Sequence, residues 1–263
     1  EIYRSIARRT SARKSSVRTV TQTTVTRTAT TSPSTTAESG AKKLTPLEEF
    51  TARLHRGMAF YKEKVEDYTA RLYVHERIDG ELKPSALAQM KFKKPFQIYM
   101  KWLKGPNAGT QLLFVRDRHD NRILAKQPGL LSFKTFHLDP QGRLATKGNR
   151  HVITETGLAN LMTPMEESRK KAIAEDRAEV RRLPDDPKAE PKGLRYELLV
   201  TGEESPEYYC RRAVVTFDPK TSLIVAVKVY DWEDRMVEDY RYHDLKLNVG
   251  LTEEDFEPTT YGM

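Results

Sequence analysis

Lys94 poses the sharpest chemical question in the sequence. Met90, Phe92 and Phe96 flank it, and Pro95 follows it directly. An ammonium among large apolar groups must find hydrogen-bond partners or give up its proton. Three outcomes fit. The chain bends at Pro95, so that the lysine stem lies on apolar surface and its head reaches water. Or the head bonds backbone carbonyls of a covering helix, or it meets an anionic lipid head group.

Other groups point less clearly to a site. Cys210 is the single cysteine, which excludes an internal disulfide. It falls in a strand-like run, Tyr208 to Phe217, and reads as a buried, inert thiol. The six histidines, His55, His75, His119, His137, His151 and His243, are scattered, and each reads as structural. His243 and Asp244 are adjacent, so a strand would point them to opposite faces. Glu253-Glu254 and Asp185-Asp186 fall in expected loops and read as solubilising. No Gly-x-Ser-x-Gly, His-Glu-x-x-His, phosphate loop or paired-cysteine motif occurs. The expectation is a protein without catalytic residues, metal or cofactor.

The segment around Lys94 alternates. Ala88, Met90, Phe92, Lys94, Phe96, Ile98, Met100 and Trp102 share one parity; Gln89, Lys91, Lys93, Pro95, Gln97, Tyr99 and Lys101 share the other. A period of two places the first set on one face of a β-strand. One straight strand here would run roughly 50 Å at about 3.3 Å per residue, far beyond the usual length. The segment therefore bends at Pro95 or belongs to a strongly curved sheet. The polar row reads as a solvated outer face rather than a nucleic-acid surface.

Of the 263 residues, 31% are charged and the mean hydropathy is −0.68. No apolar run reaches membrane-spanning length. The net charge of +8 is concentrated at one end: nine bases and two acids fall in residues 1–43, which leaves the remainder almost neutral. Residues 1–43 are rich in Ser, Thr and Arg and too poor in large apolar groups to order themselves. They read as a disordered tail or linker, with possible electrostatic contact to an envelope membrane or wall. The chain begins at Glu1 and shows no signal peptide, which reads as an N-terminal segment removed or not included.

Residues 44–263 read as one folded domain. Thr45, Pro46 and Glu48 form a helix start, followed by an apolar stripe through Leu47, Phe50, Leu54, Met58, Tyr61 and Val65 to an end near Asp67. Alternation over Tyr68–Ile78 gives a strand. Further strands are expected over 111–116, 122–126 and 130–138. A charged helical segment is expected at about 155–183, with Pro164 in or beside it. Four strands then follow, at 194–201, 208–217, 222–230 and 235–247. No βαβ alternation appears, so the fold class is mainly β (α+β), a curved antiparallel sheet covered by helices.

The run Met90-Lys91-Phe92-Lys93-Lys94-Pro95-Phe96-Gln97-Ile98-Tyr99-Met100-Lys101-Trp102, with the closing Phe256-Glu257-Pro258, resembles the lipoprotein-carrier superfamily typified by LolA, and more narrowly an uncharacterised LolA-like family of bacterial envelope proteins. The resemblance covers about residues 44–263. It implies an incomplete antiparallel barrel with an apolar cavity for acyl chains, in the periplasm or cell envelope. It also implies that Lys94 stands where the superfamily places a basic residue, typically arginine, that holds a helical lid closed. Lysine lacks the planar fork of arginine, so the lock would differ.

The expected cavity lining is Met90, Phe92, Phe96, Ile98, Met100, Trp102, Leu72 and Val74, with Lys94 as the lid or head-group contact. The expected partner is the acyl chain of a lipid or lipoprotein bound by a monomer, with no nucleic acid. The competing reading is a structural or interaction module of the envelope with a filled core, docked through its basic Thr-rich tail.

Overall fold

A computed structural model describes residues 43–263. The disordered-tail reading of residues 1–43 lies outside the described residues, Lys43 excepted. The chain opens with helix α1 (Pro46–Lys64). Its start follows from the local sequence. The Glu48 amide donates to the Thr45 hydroxyl (3.2 Å), and the Thr45 amide donates to the Glu48 carboxylate (2.8 Å), which completes the capping box.

Twelve strands then form one antiparallel sheet. They are β1 (Asp67–Ile78), β2 (Glu81–Leu82), β3 (Ala86–Lys93), β4 (Gln97–Lys104), β5 (Gln111–Val115), β6 (Ile123–Lys126), β7 (Thr135–Leu138), β8 (Ala178–Arg182), β9 (Leu194–Val200), β10 (Arg212–Phe217), β11 (Ile224–Tyr230) and β12 (Met236–Leu247). Their order in space is β7-β6-β5-β4-β3-β1-β12-β11-β10-β9-β8, with β2 paired to β1. β7 and β8 are the two edges and do not pair with each other, so the barrel stays open. Between β7 and β8 lie a short helix α2 (Arg143–Thr146) and the longer α3 (Leu158–Ala174).

The long alternating segment is a hairpin, not one strand. β3 and β4 fold back on each other around Lys94-Pro95-Phe96, and the Lys94–Pro95 peptide is cis. The register joins Phe92 to Ile98, Met90 to Met100 and Ala88 to Trp102. β1 continues the row, with Tyr68 beside Phe92 and Ala70 beside Met90. The predicted apolar face therefore survives the fold-back intact.

α1 and α3 cover this face. Phe50 and Leu54 of α1 are fully buried and belong to the same core as Tyr196, Phe217 and Leu223. Gly57 lets the helix approach closely: a Cβ there would lie 2.1 Å from the Ser222 carbonyl oxygen. His55 joins α1 to α3 through Glu166 (3.0 Å). Burial alone would raise the Glu166 carboxyl, but hydrogen bonds from Arg169, His55 and Lys170 outweigh it and hold the group down at about 2. Gly157 opens α3 at φ 132°, and a Cβ there would crowd the Tyr68 hydroxyl and the Phe92 ring.

Three expectations need correction. The charged helix ends at Ala174, and residues 178–182 form the edge strand β8. The strand expected over 130–138 is confined to β7, after a 3-10 turn at Gly129–Leu131. The polar row of β3 and β4 is not a bare solvated face. The C-terminal segment lies across it: Lys91 pairs with Asp255 (2.8 Å), Gln97 donates to Glu253 (3.0 Å), and Tyr99 stacks on Tyr261 with centroids 3.6 Å apart. Glu253 is thus a partner of Gln97 rather than a free solubilising charge. Buried Asp67 anchors the start of this segment by accepting the amides of Val249, Gly250 and Leu251.

Candidate ligand-binding cavity

The sheet and its covering helices frame a partly open cavity of about 470 Å³. Its size is typical of a small-ligand site. Strand pairing builds the floor. Val227, Tyr240 and Val74 follow one another across β11, β12 and β1, and Met100 pairs with Leu112 on the other side. Leu161 and Met165 of α3 form part of the roof.

The predicted lining residues divide into two groups. Leu72, Val74, Met100 and Trp102 line the cavity. Met90, Phe92, Phe96 and Ile98 do not; they are packed in solid core. Phe92 stacks on Tyr68 with centroids 5.0 Å apart and meets Phe96 edge-on at 5.2 Å. Phe96 in turn meets Phe114 at 5.8 Å. These rings fill the space beside the hairpin turn, which moves the hollow toward the far end of β4.

Lys94 does not face the hollow. Its Nζ donates to the Tyr61 carbonyl (2.7 Å) and the Lys62 carbonyl (3.0 Å), and sits 4.7 Å from the Tyr61 ring centroid. Both carbonyls belong to the last turn of α1, where the helix dipole also favours a cation. Of the three outcomes open for Lys94, this geometry is the bond to a covering helix.

A polar cluster closes one end of the cavity. Glu76 and Glu238 face each other across the β1–β12 pair, and both are buried. The Tyr240 hydroxyl donates to Glu76, and the Tyr209 hydroxyl donates to Glu238 (2.6 Å). Arg150 donates from Nε to the Tyr209 oxygen (3.0 Å) and from its backbone amide to Glu76 (3.3 Å). His151 places Nε2 3.0 Å from Glu238 and Nδ1 3.3 Å from Glu155. With a carboxylate at each nitrogen, the ring must donate from both and so carries a charge.

The electrostatics agree. Burial would depress His151, but the Glu238 charge and the hydrogen bonds to Glu155 and Glu238 raise it to about 10. Glu238 is pushed up by its burial, yet the His151 charge and the His151 and Tyr209 hydrogen bonds hold it below the usual carboxylate range. Glu76 is raised, first by burial and further by the nearby Glu238 charge, against the Tyr240 hydrogen bond.

Each carboxylate here is already bonded to a tyrosine, arginine or histidine. Cys210 lines the cavity close by, and burial together with the Glu238 charge pushes its thiol up to about 12, so it stays protonated and unreactive. It precedes β10 rather than lying within a strand. Among the described residues no group of three or more His, Cys, Asp or Glu is arranged to hold a metal. The arrangement suits holding a ligand with a long apolar part and one polar end.

The profile of a family described as a protein of unknown function, DUF1571, matches residues 65–261. The chain belongs to this family. No curated protein matches it in sequence. Several solved structures are similar. A LolA superfamily protein from Nitrosomonas europaea is 10% identical, over 80% of this chain and 98% of that one, with a TM-score of 0.38. A DUF1329 family protein from Desulfovibrio piger is 12% identical over 81% and 98%, with a TM-score of 0.40. The MucA/MucB complex of Pseudomonas aeruginosa gives 12% identity over 81% of this chain and 62% of that one, with a TM-score of 0.46.

Proposed function

We propose that this DUF1571 chain binds, without catalysis, the acyl chain of a lipid or lipoprotein in the cavity of its curved sheet, and carries it as a monomer in the bacterial cell envelope. The observation that supports the reading is the 470 Å³ hollow, walled by Leu72, Val74, Met100, Trp102, Val227 and Val229. Burying an acyl chain contributes about 0.8 kcal/mol per methylene before ordering costs. A dozen methylenes would therefore give useful affinity. The polar cluster at Glu76, His151 and Glu238 is the end at which an ester or amide head would rest. The envelope location rests on the resemblance carried by Lys94-Pro95-Phe96, Trp102 and Phe256-Glu257-Pro258.

Native mass spectrometry of the gently purified chain tests the reading. A mass increment that a lipid extraction removes and identifies as an acylated molecule is the expected result. A clean unliganded mass, together with no uptake of a fluorescent fatty acid, would favour the structural module instead.

A further inference from the structure

The connection between β6 and β7 exposes apolar side chains that a soluble surface has no use for. Leu130 is 94% exposed and Phe133 86%, three positions apart across Leu131 and Ser132. Leu144 of α2, at 77%, and Leu103 at the end of β4, at 41%, are exposed as well. Gly109 packs against Pro128, which brings the β4–β5 loop alongside the β6–β7 loop. Exposed leucines scattered singly are ordinary, but a Leu-Leu-Ser-Phe tip is not.

Two further observations say what covers this tip. The first is charge. Residues 122–149 carry Arg122, Lys126, Lys134, Arg143 and Lys147 against one acid, Asp139, in a folded part that is otherwise close to neutral. Apolar groups set among cations complement an anionic lipid surface, which accepts the side chains below its head groups and the ammonium ions at them. The second is position. Asn107, Gln127, Leu144 and Lys147 line the cavity and are also exposed, so the hollow opens to solvent beside this tip.

We propose that the Pro128–Lys134 loop, assisted by Leu144, is a membrane-docking element that inserts Leu130 and Phe133 into an anionic bilayer. Docking in this orientation turns the mouth of the cavity toward the membrane. The proposal stands apart from the acyl-binding reading, because insertion requires no ligand in the hollow.

The test must separate this loop from the basic residues 1–43, which would adhere to anionic vesicles on their own. The full chain is labelled with an environment-sensitive dye at Ser132→Cys, in a Cys210→Ala background, and mixed with vesicles of phosphatidylglycerol and phosphatidylcholine. A second preparation carries the dye at Lys188→Cys, remote in the sequence and exposed. Insertion predicts a blue shift and protection from an aqueous quencher at position 132 and neither at 188. It also predicts that Leu130→Ser with Phe133→Ser weakens vesicle partition about tenfold or more in salt that screens the tail. Both side chains are exposed, so the double variant keeps the circular dichroism spectrum and melting temperature of the parent. A dye that stays quenched at 132 on bound vesicles, or a double variant that partitions like the parent, would overturn the proposal. So would equal insertion into pure phosphatidylcholine, since that removes the role of the cations.

Discussion

The same hairpin is solid at one end and hollow at the other. Near the turn, Met90, Phe92, Phe96 and Ile98 pack with Tyr68 and Phe114 and leave no room. At the far end of β4, Met100 and Trp102 face open space together with Leu72 and Val74. Both halves follow one alternation, and both are apolar. The difference lies in what lies over them. Aromatic rings and the start of α3 at Gly157 fill the turn end. A wall of β-branched and aliphatic side chains, with a roof of Leu161 and Met165, leaves the other end unfilled. Alternation thus fixes which face is apolar, and ring size and the cover decide whether that face is filled.

The contrast can be broken by mutation, beginning with the solid end. Phe92→Ala removes a ring from close-packed surroundings and should cost about 3–5 kcal/mol in chemical denaturation. A cost below about 1 kcal/mol would show that the turn end is loose as well.

The next largest effect belongs to the hollow end. The folded pKa of His151 is raised above the unfolded value, so its ion pairs contribute fully below about pH 6.5 and fade as pH rises toward about 10. Between these limits the stability gap between the parent and His151→Gln should close with pH, by up to about 1.4 kcal/mol per unit. Urea unfolding at pH 6, 8 and 10 measures this. A gap independent of pH would mean that the ring is neutral in the fold, despite Glu238 and Glu155 on either side of it.

Enlarging alanines then compares the two ends directly. Ala70 is buried beside Met90 at the solid end, and Ala125 lines the cavity. Ala70→Phe should cost about 1–3 kcal/mol or more from overpacking, while Ala125→Phe should cost less than about 1 kcal/mol because the ring has space. Equal melting-temperature losses would erase the distinction. Last, Lys94→Met should remove about 1–2 kcal/mol and speed amide exchange at Val65, whose amide donates to the Tyr61 carbonyl that Lys94 also holds. Lys94→Arg should restore most of the loss. No change in exchange would deny Lys94 any part in fastening α1.

Most strands were legible because one face of each is buried, and period two reports that directly. Pro95 marks where the long segment bends, but the full reversal into a hairpin was not legible. Lys93 pairs with Gln97, four positions on, and an even step keeps the parity unbroken through the turn. A straight strand and this fold-back therefore write the same pattern. β8 has the pattern of a solvated helix because Ala178–Arg182 is a charged edge strand, of the kind that protects a sheet margin. The polar cluster was missed for another reason. Glu76 and Glu238 are far apart in the chain and become neighbours only through the β1–β12 register. A signal was present, since Glu76 has the parity of Leu72 and Val74 and so places an acid on the apolar row. His151 carried only a weak local signal, Glu155 four positions on, because its other partner, Glu238, comes from β12.

Titration with a fluorescent long-chain fatty acid, read on the parent and on Ala125→Phe, tests the central claim most directly. The account predicts saturable binding of one acyl chain per parent molecule, with Ala125→Phe folded but unable to bind. No binding to the parent, or equal binding to both, would contradict an open hollow that takes an acyl chain.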